Sequence, residues 1–264
     1  MKNFARASRL LVQPLPNTTD EYLDPTRPQP TTADQTYTDF NVNDHTTIEP
    51  KDSPYGDISR WDILWLGHCG SRFPLASDIN APLGRVVLPN DHTVPQPQHL
   101  DMEYGGRELI QQYPAHTRVV SRARVNTCSL AYGVSQPGAR RILYELGVHK
   151  MSGPNDIMLR YVCDGVDGRQ LGTCLTVQPQ LFQHHRPAGA KAAFSDINDN
   201  GDGFNDKATT ANIRWSVRLN LPKLVGGTTD WIDLYPDEEG NDEGENDGGE
   251  DDEGDDFRIV GALY

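Results

Sequence analysis

No apolar run in this 264-residue sequence approaches the length of a membrane-spanning helix, which needs roughly 20 residues. A P-loop, a His-Glu-x-x-His pair and a complete Gly-x-Gly-x-x-Gly are all missing. Their absence removes the usual signatures of phosphate cradles, zinc proteases and dinucleotide sites. The cysteines Cys69, Cys128, Cys163 and Cys174 form no Cys-x-x-Cys pair, which argues against a zinc ribbon. Their even number allows two disulfides and, equally, four free buried thiols. Behind Met1-Lys2-Asn3-Phe4 there is no apolar stretch of the kind a secretory signal peptide carries. No internal repeat is visible.

What is present points to one loop-rich domain. Hydrophobic residues make up 36%, enough to bury a core, alongside 24 glycines and 19 prolines. The net charge of −14 comes almost wholly from Asp237 to Asp256, a stretch with 13 acidic residues and no basic one. The rest is nearly neutral, which excludes the electrostatic footprint of a nucleic-acid-binding protein. The run itself reads as a solvated, disordered insert, because like charges repel and its glycines and asparagines offer nothing to bury.

Periodicity supplies the elements. Phe4 to Val12 places Phe4, Ala5, Ser8, Leu11 and Val12 on one face, as in a short helix. Residues 14–55 are polar and rich in Pro, Thr and Asp, and read as a long loop. Trp61 to Leu66 is an apolar strand with one charge, Asp62, ending in a Gly67-His68-Cys69-Gly70 turn. Arg85 to Leu88 and Arg118 to Ala123 are further short strands. Cys128 to Val134 leads into Ser135, a helix N-cap, with Pro137 in the first turn and Gly147 as the stop. Asn155 to Cys163 reads as a helix, and Leu175 to Phe182 as a strand ending at His184-His185-Arg186-Pro187. A small α/β core follows from this order.

Single motifs carry little. Gly133-Val134-Ser135-Gln136-Pro137-Gly138 misses the nucleophile elbow by one place, so Ser135 is better explained as a cap. Asp196 to Gly201 starts like a calcium loop, but the twelfth position is Lys207 rather than Glu, so a polar turn fits better. His184 and His185 are adjacent on an extended segment, so only one can face a given site. A neutral imidazole there could take a divalent metal. Asp156 opens a helix, where a carboxylate favours the macrodipole.

Taken in order, these blocks resemble fungal members of glycosyltransferase family 25. The matching stretches are Trp61-Asp62-Ile63-Leu64-Trp65-Leu66-Gly67-His68-Cys69-Gly70 and Tyr132-x-x-Ser135-x-x-Gly138-Ala139. They continue with Pro154-Asn155-Asp156, Gln178 to Pro187, Ser195-Asp196-Ile197 and Asn212 to Val217. The resemblance spans roughly residues 1–220. It implies a partial GT-A-like, Rossmann-like α/β domain over 1–220, followed by a C-terminal segment, 221–264. It implies transfer of a hexose, galactose by expectation, from a nucleotide sugar (a UDP-hexose) to a hydroxyl of a glycan or glycoprotein acceptor. A divalent cation, Mn²⁺, would bridge the diphosphate, and the ER or Golgi lumen would be the compartment. The expected site is Asp156 as catalytic base or acceptor contact, His184 or His185 on the metal side, and Ser135 and Gly138 toward substrate. The chain departs from the pattern in having no Asp-x-Asp. In the family that motif precedes a segment resembling Met1 to Leu15, so Met1 is expected to be internal to a longer protein. The alternative is a non-catalytic remnant that acts as a carbohydrate-binding or interaction module.

Overall fold

The computed structural model describes residues 1–24, 38–78, 81–102, 107–191 and 203–238. The strands are β1 (Asp39–Asn41), β2 (Ile63–Gly67), β3 (Gly70–Arg72), β4 (Arg85–Leu88), β5 (Arg118–Arg122), β6 (Arg124–Thr127), β7 (Ala131–Val134) and β8 (Cys174–Gln178). The helices are α1 (Lys2–Val12), α2 (Arg107–Gln112), α3 (Gln136–Tyr144), α4 (Asn155–Asp164) and α5 (Val217–Val225). Two-residue strands β9 (His185–Arg186), β10 (Gly189–Ala190), β11 (Phe204–Asn205) and β12 (Thr209–Thr210) make small ribbons, β9 pairing with β12 and β10 with β11.

A six-stranded mixed sheet in the order β1-β4-β5-β8-β2-β7 organises the domain. β1 and β4 pair in parallel, as do β8 and β2, whereas β5 and β7 run the other way. The period of two explains why β2 is apolar throughout: both of its faces are covered. Leu64 points to a layer shared with α1, where Phe4, Ala7, Leu10, Leu11 and Val12 meet Val86, Leu88, Val120, Leu175 and Val177. Ile63 and Trp65 point to the opposite layer, with Leu159 and Cys163 of α4 and the partly buried Ile142 and Leu146. Each of these large side chains contributes roughly 1.5–3 kcal/mol by leaving water.

Beside the sheet, β3 pairs with β6. Arg72 grips Asp78 through two bonds of 2.6 Å, and Arg124 reaches Asp78 at 3.2 Å and Asp164 at 3.3 Å. This chain of charges ties β3 and β6 to the end of α4. Although burial opposes it, Arg72 holds the Asp78 carboxyl down to about 2. Two disulfides, Cys69–Cys128 and Cys163–Cys174, leave no free cysteine. The first joins the turn after β2 to the turn before β7, and the second joins α4 to β8.

Several expectations need correction. The polar stretch 14–55 contains β1, whose Phe40 and the following Val42 alternate into the core. The helix after Ser135 does not stop at Gly147: a π-helical turn, Glu145–His149, follows α3. Glu145 anchors that turn by accepting from His149 at 2.8 Å and pairing with Arg169. The strand expected over Leu175 to Phe182 ends at Gln178, because Pro179 has no N–H to extend the ladder. A boundary at 220 falls inside α5, and the chain beyond folds back, with Leu234 N–H donating to Arg214 O. The calcium-like Asp196 to Gly201 lies outside the described residues, as does the acidic run beyond Glu238.

Candidate functional site

β1, β4, β8 and β2 all point their carboxyl ends toward one edge of the sheet, and β5 and β7 begin there. In open α/β sheets this is the edge at which ligands bind. Two groups of side chains occupy it.

One group surrounds Cys128. Cys69 follows β2, and its N–H donates to Thr127 O, bringing the two cysteines together. Asp156, in the first turn of α4, accepts the Cys128 N–H through Oδ2 at 2.9 Å. Its other carboxylate oxygen makes no hydrogen bond among the described residues. A ring nitrogen of His184 and the two disulfide sulfurs lie within 4.8 Å of one another. Asp156 and His184 thus both reach the same residue from segments far apart in sequence. His185 does not join them: its Nδ1 meets Thr210 Oγ1 at 2.9 Å, and its backbone pairs with β12. Burial and the nearby Arg186 push the His184 pKa down, and burial and Arg218 do the same for His185. Both imidazoles therefore favour the neutral, ligating form.

His68 lies under this group and is buried. Its Nε2 donates to Val177 O at 3.0 Å, while Nδ1 has no hydrogen-bond partner. Burial pushes its pKa down to about 4, against a small opposing effect of the Val177 carbonyl. It is a neutral spacer between β2 and β8.

The second group opens at the start of α1. A cavity of about 330 Å³ is lined by residues that include Lys2, Asn3, Asp91, Thr93, Arg118 and Leu181. Arg118 is nearly fully buried and is held by Asp91 at 2.7 Å, by Thr93 at 3.0 Å and by Pro179 O. Burial works against it, but Arg118 and Thr93 keep the Asp91 carboxyl below its ordinary value. Asp91 offsets the Arg118 guanidinium, so Lys2 and the first turn of α1 supply the positive character of this cavity.

Compared with known proteins, the chain matches no family model, no curated protein and no solved structure.

Ser135 and Gly138 stand elsewhere. Ser135 follows β7 at the opposite edge, where its Oγ donates to Trp61 O at 2.6 Å and accepts from Gly138 N at 3.0 Å. A Cβ on Gly138 would come within 2.2 Å of Asp62 O. Both residues seat α3 against the start of β2, and neither reaches the carboxyl edge. The residues at Cys128 test the expected Mn²⁺ poorly. The cysteines are bonded to each other and cannot ligate, leaving one imidazole and one carboxylate, short of an oxygen-rich shell. That ion would need carboxylates this sequence does not supply as Asp-x-Asp.

Sequence reading missed Asp91 and Arg118 as parts of a site. The only signal was local: Pro89-Asn90-Asp91 marks a turn after a strand, and a turn at that edge is where a site is built.

Proposed function

We propose that this chain is the acceptor-side part of a hexosyltransferase of the glycosyltransferase family 25 type, with a GT-A-like arrangement. The observation that carries the reading is the meeting at Cys128. Three separate blocks of the resemblance, which contain Cys69, Asp156 and His184, converge at the carboxyl edge of the sheet. Asp156, with one oxygen committed to the Cys128 N–H, is the group placed to accept a proton from, or orient, an acceptor hydroxyl. The cavity at the head of α1, where Lys2 stands beside the Arg118–Asp91 pair, is the place we assign to the diphosphate of a UDP-hexose. The two disulfides favour an oxidising lumen.

The test reads the genomic frame before Met1 for an acidic metal-binding motif, whose absence would overturn the reading. The chain is expressed alone and in frame with the preceding genomic sequence, and each form is given UDP-galactose or UDP-glucose, Mn²⁺ and a glycan acceptor. The chain alone should not turn over, because it holds no Asp-x-Asp to bind the metal-diphosphate. The extended form should transfer sugar. Failure of the extended form to transfer would overturn the reading.

A second reading rests on a different place. Trp215, Thr229, Asp230 and Trp231 line an open, largely apolar recess of about 670 Å³. Indole walls beside a carboxylate are suited to the apolar face and hydroxyls of a sugar ring. This favours a carbohydrate-binding module without catalysis. Under that reading, glycan binding is lost on Trp231→Ala while no form of the protein transfers sugar.

A further inference from the structure

Beyond the Cys128 group, a second set of ligating side chains lies at the β4–β5 end of the same edge. His92 follows β4, His116 precedes β5, and Asp237 belongs to the segment that returns after α5. One ligand atom from each lies within 4.8 Å of the others. We propose that His92, His116 and Asp237 bind a divalent transition-metal ion of the zinc class, which clasps the C-terminal segment onto the sheet.

Geometry argues for a metal over a plain ion pair. His116 Nε2 and Asp237 Oδ1 are 3.4 Å apart, beyond the usual 2.7–3.2 Å of an N–H···O bond. Two ligands of one tetrahedral zinc, each about 2.0–2.1 Å from it, stand about 3.3 Å apart. His116 Nδ1 lies 2.8 Å from Val94 O, so it carries the proton and donates. That fixes the tautomer and leaves the Nε2 lone pair facing Asp237, the second-sphere arrangement typical of metal-bound histidine. The His92 ring lies beside it, the two ring centroids 5.0 Å apart.

Asp237 is oriented in the same way. Arg214 NH1 donates to its Oδ2 at 2.9 Å and to His92 O at 3.3 Å. One guanidinium therefore holds two of the three ligand-bearing residues and leaves Oδ1 for the ion. His116 has φ +57, a conformation uncommon outside glycine and enriched in Asn, Asp and His. It is stabilised by the Asp91 N–H donating to His116 O at 2.7 Å. His92 and Asp237 are exposed, so their side chains can close on an ion without repacking the core. Two imidazoles and one carboxylate suit zinc better than calcium or magnesium, and three protein ligands leave a position for water or a small anion.

The test uses the full chain, stripped with chelator and kept free of reductant so that both disulfides persist. Zn²⁺ is titrated calorimetrically in excess Mg²⁺, added to compete for surface carboxylates. One site per chain with micromolar or tighter affinity is expected, with a Tm increase of about 5 °C or more at saturating Zn²⁺. His116→Ala and Asp237→Asn should each weaken that site at least about 100-fold, while His99→Ala, at a nearby histidine outside the cluster, should leave it unchanged. Asp237→Asn alters an exposed side chain, so it remains informative if His116→Ala fails to fold. Absence of a saturable site in the parent chain would overturn the proposal. So would Asp237→Asn binding Zn²⁺ as the parent does.

Discussion

His68 and His184 share one sheet edge, but one is buried and the other exposed, and this separates what each can do. His68 has its pKa pushed down to about 4 by burial, so the folded chain refuses a proton that the unfolded chain accepts near pH 6.5. Its contribution to stability is whole above about pH 6.5 and drains away as pH falls toward 4. The loss is on the order of 3 kcal/mol. Urea denaturation between pH 7 and 4.5 should therefore show falling stability, and His68→Gln should flatten the fall. An unchanged slope in the variant would assign the acid sensitivity to other groups. For the adjacent pair, alternation along an extended segment already indicates that His184 and His185 face different ways. Sequence could not say which one approaches the Cys69–Cys128 disulfide, because that depends on Phe182 bridging to Gly67 and on β9 pairing with β12. If the proposed hexosyl transfer holds, Asp156→Ala should lower turnover by about 100-fold or more, and His184→Ala should be clearly worse than His185→Ala. Equal, small effects of all three would leave them as structural residues.

At the level of elements, legibility followed burial pattern. Strands built on a short apolar run, β2, β4 and β5, could be read within a residue or two, because a two-sided core demands such runs. The N-cap at Ser135 was equally legible, since capping needs only a hydroxyl followed by a free turn. β1 was hidden in polar surroundings: a three-residue edge strand needs only Phe40 and Val42 to be apolar. The π-turn at Glu145–His149 was hidden because its anchor, Arg169, comes from a distant loop. Disulfide connectivity was also beyond sequence, since four cysteines allow three pairings. The Cys69–Cys128 link closes a loop of sequence separation 59, and constraining such a loop in the unfolded chain is worth about 4 kcal/mol. Cys69→Ser with Cys128→Ser should lower stability by about that amount in urea. It should also disturb Asp156, whose carboxylate leans on the Cys128 N–H. If the double variant were as stable as the parent, the disulfide would be a passenger of the fold.

At the scale of the whole molecule, charge and packing are divided between different parts of the chain. Residues 1–238 contain both faces of the six-stranded sheet and every core cluster found among the described residues. Residues 239–256 carry most of the acidic run and almost none of the apolar content. A segment with like charges and no apolar face has little to gain from docking on a nearly neutral body. Its natural contribution is colloidal, keeping copies of the chain apart. Deleting 239–256 should therefore leave the Tm at moderate salt almost unchanged, since Asp237 and its contacts with Arg214 and His116 remain. The deletion should raise the isoelectric point from about 4.9 toward neutrality, and solubility near neutral pH should fall as the net charge shrinks from −14 to about −3. Thermal scans and solubility measurements on the deletion and the parent separate the two effects. A clear drop in Tm on deletion would mean that the run packs against the body or holds a structural cation, and the division of labour between its parts would have to be abandoned.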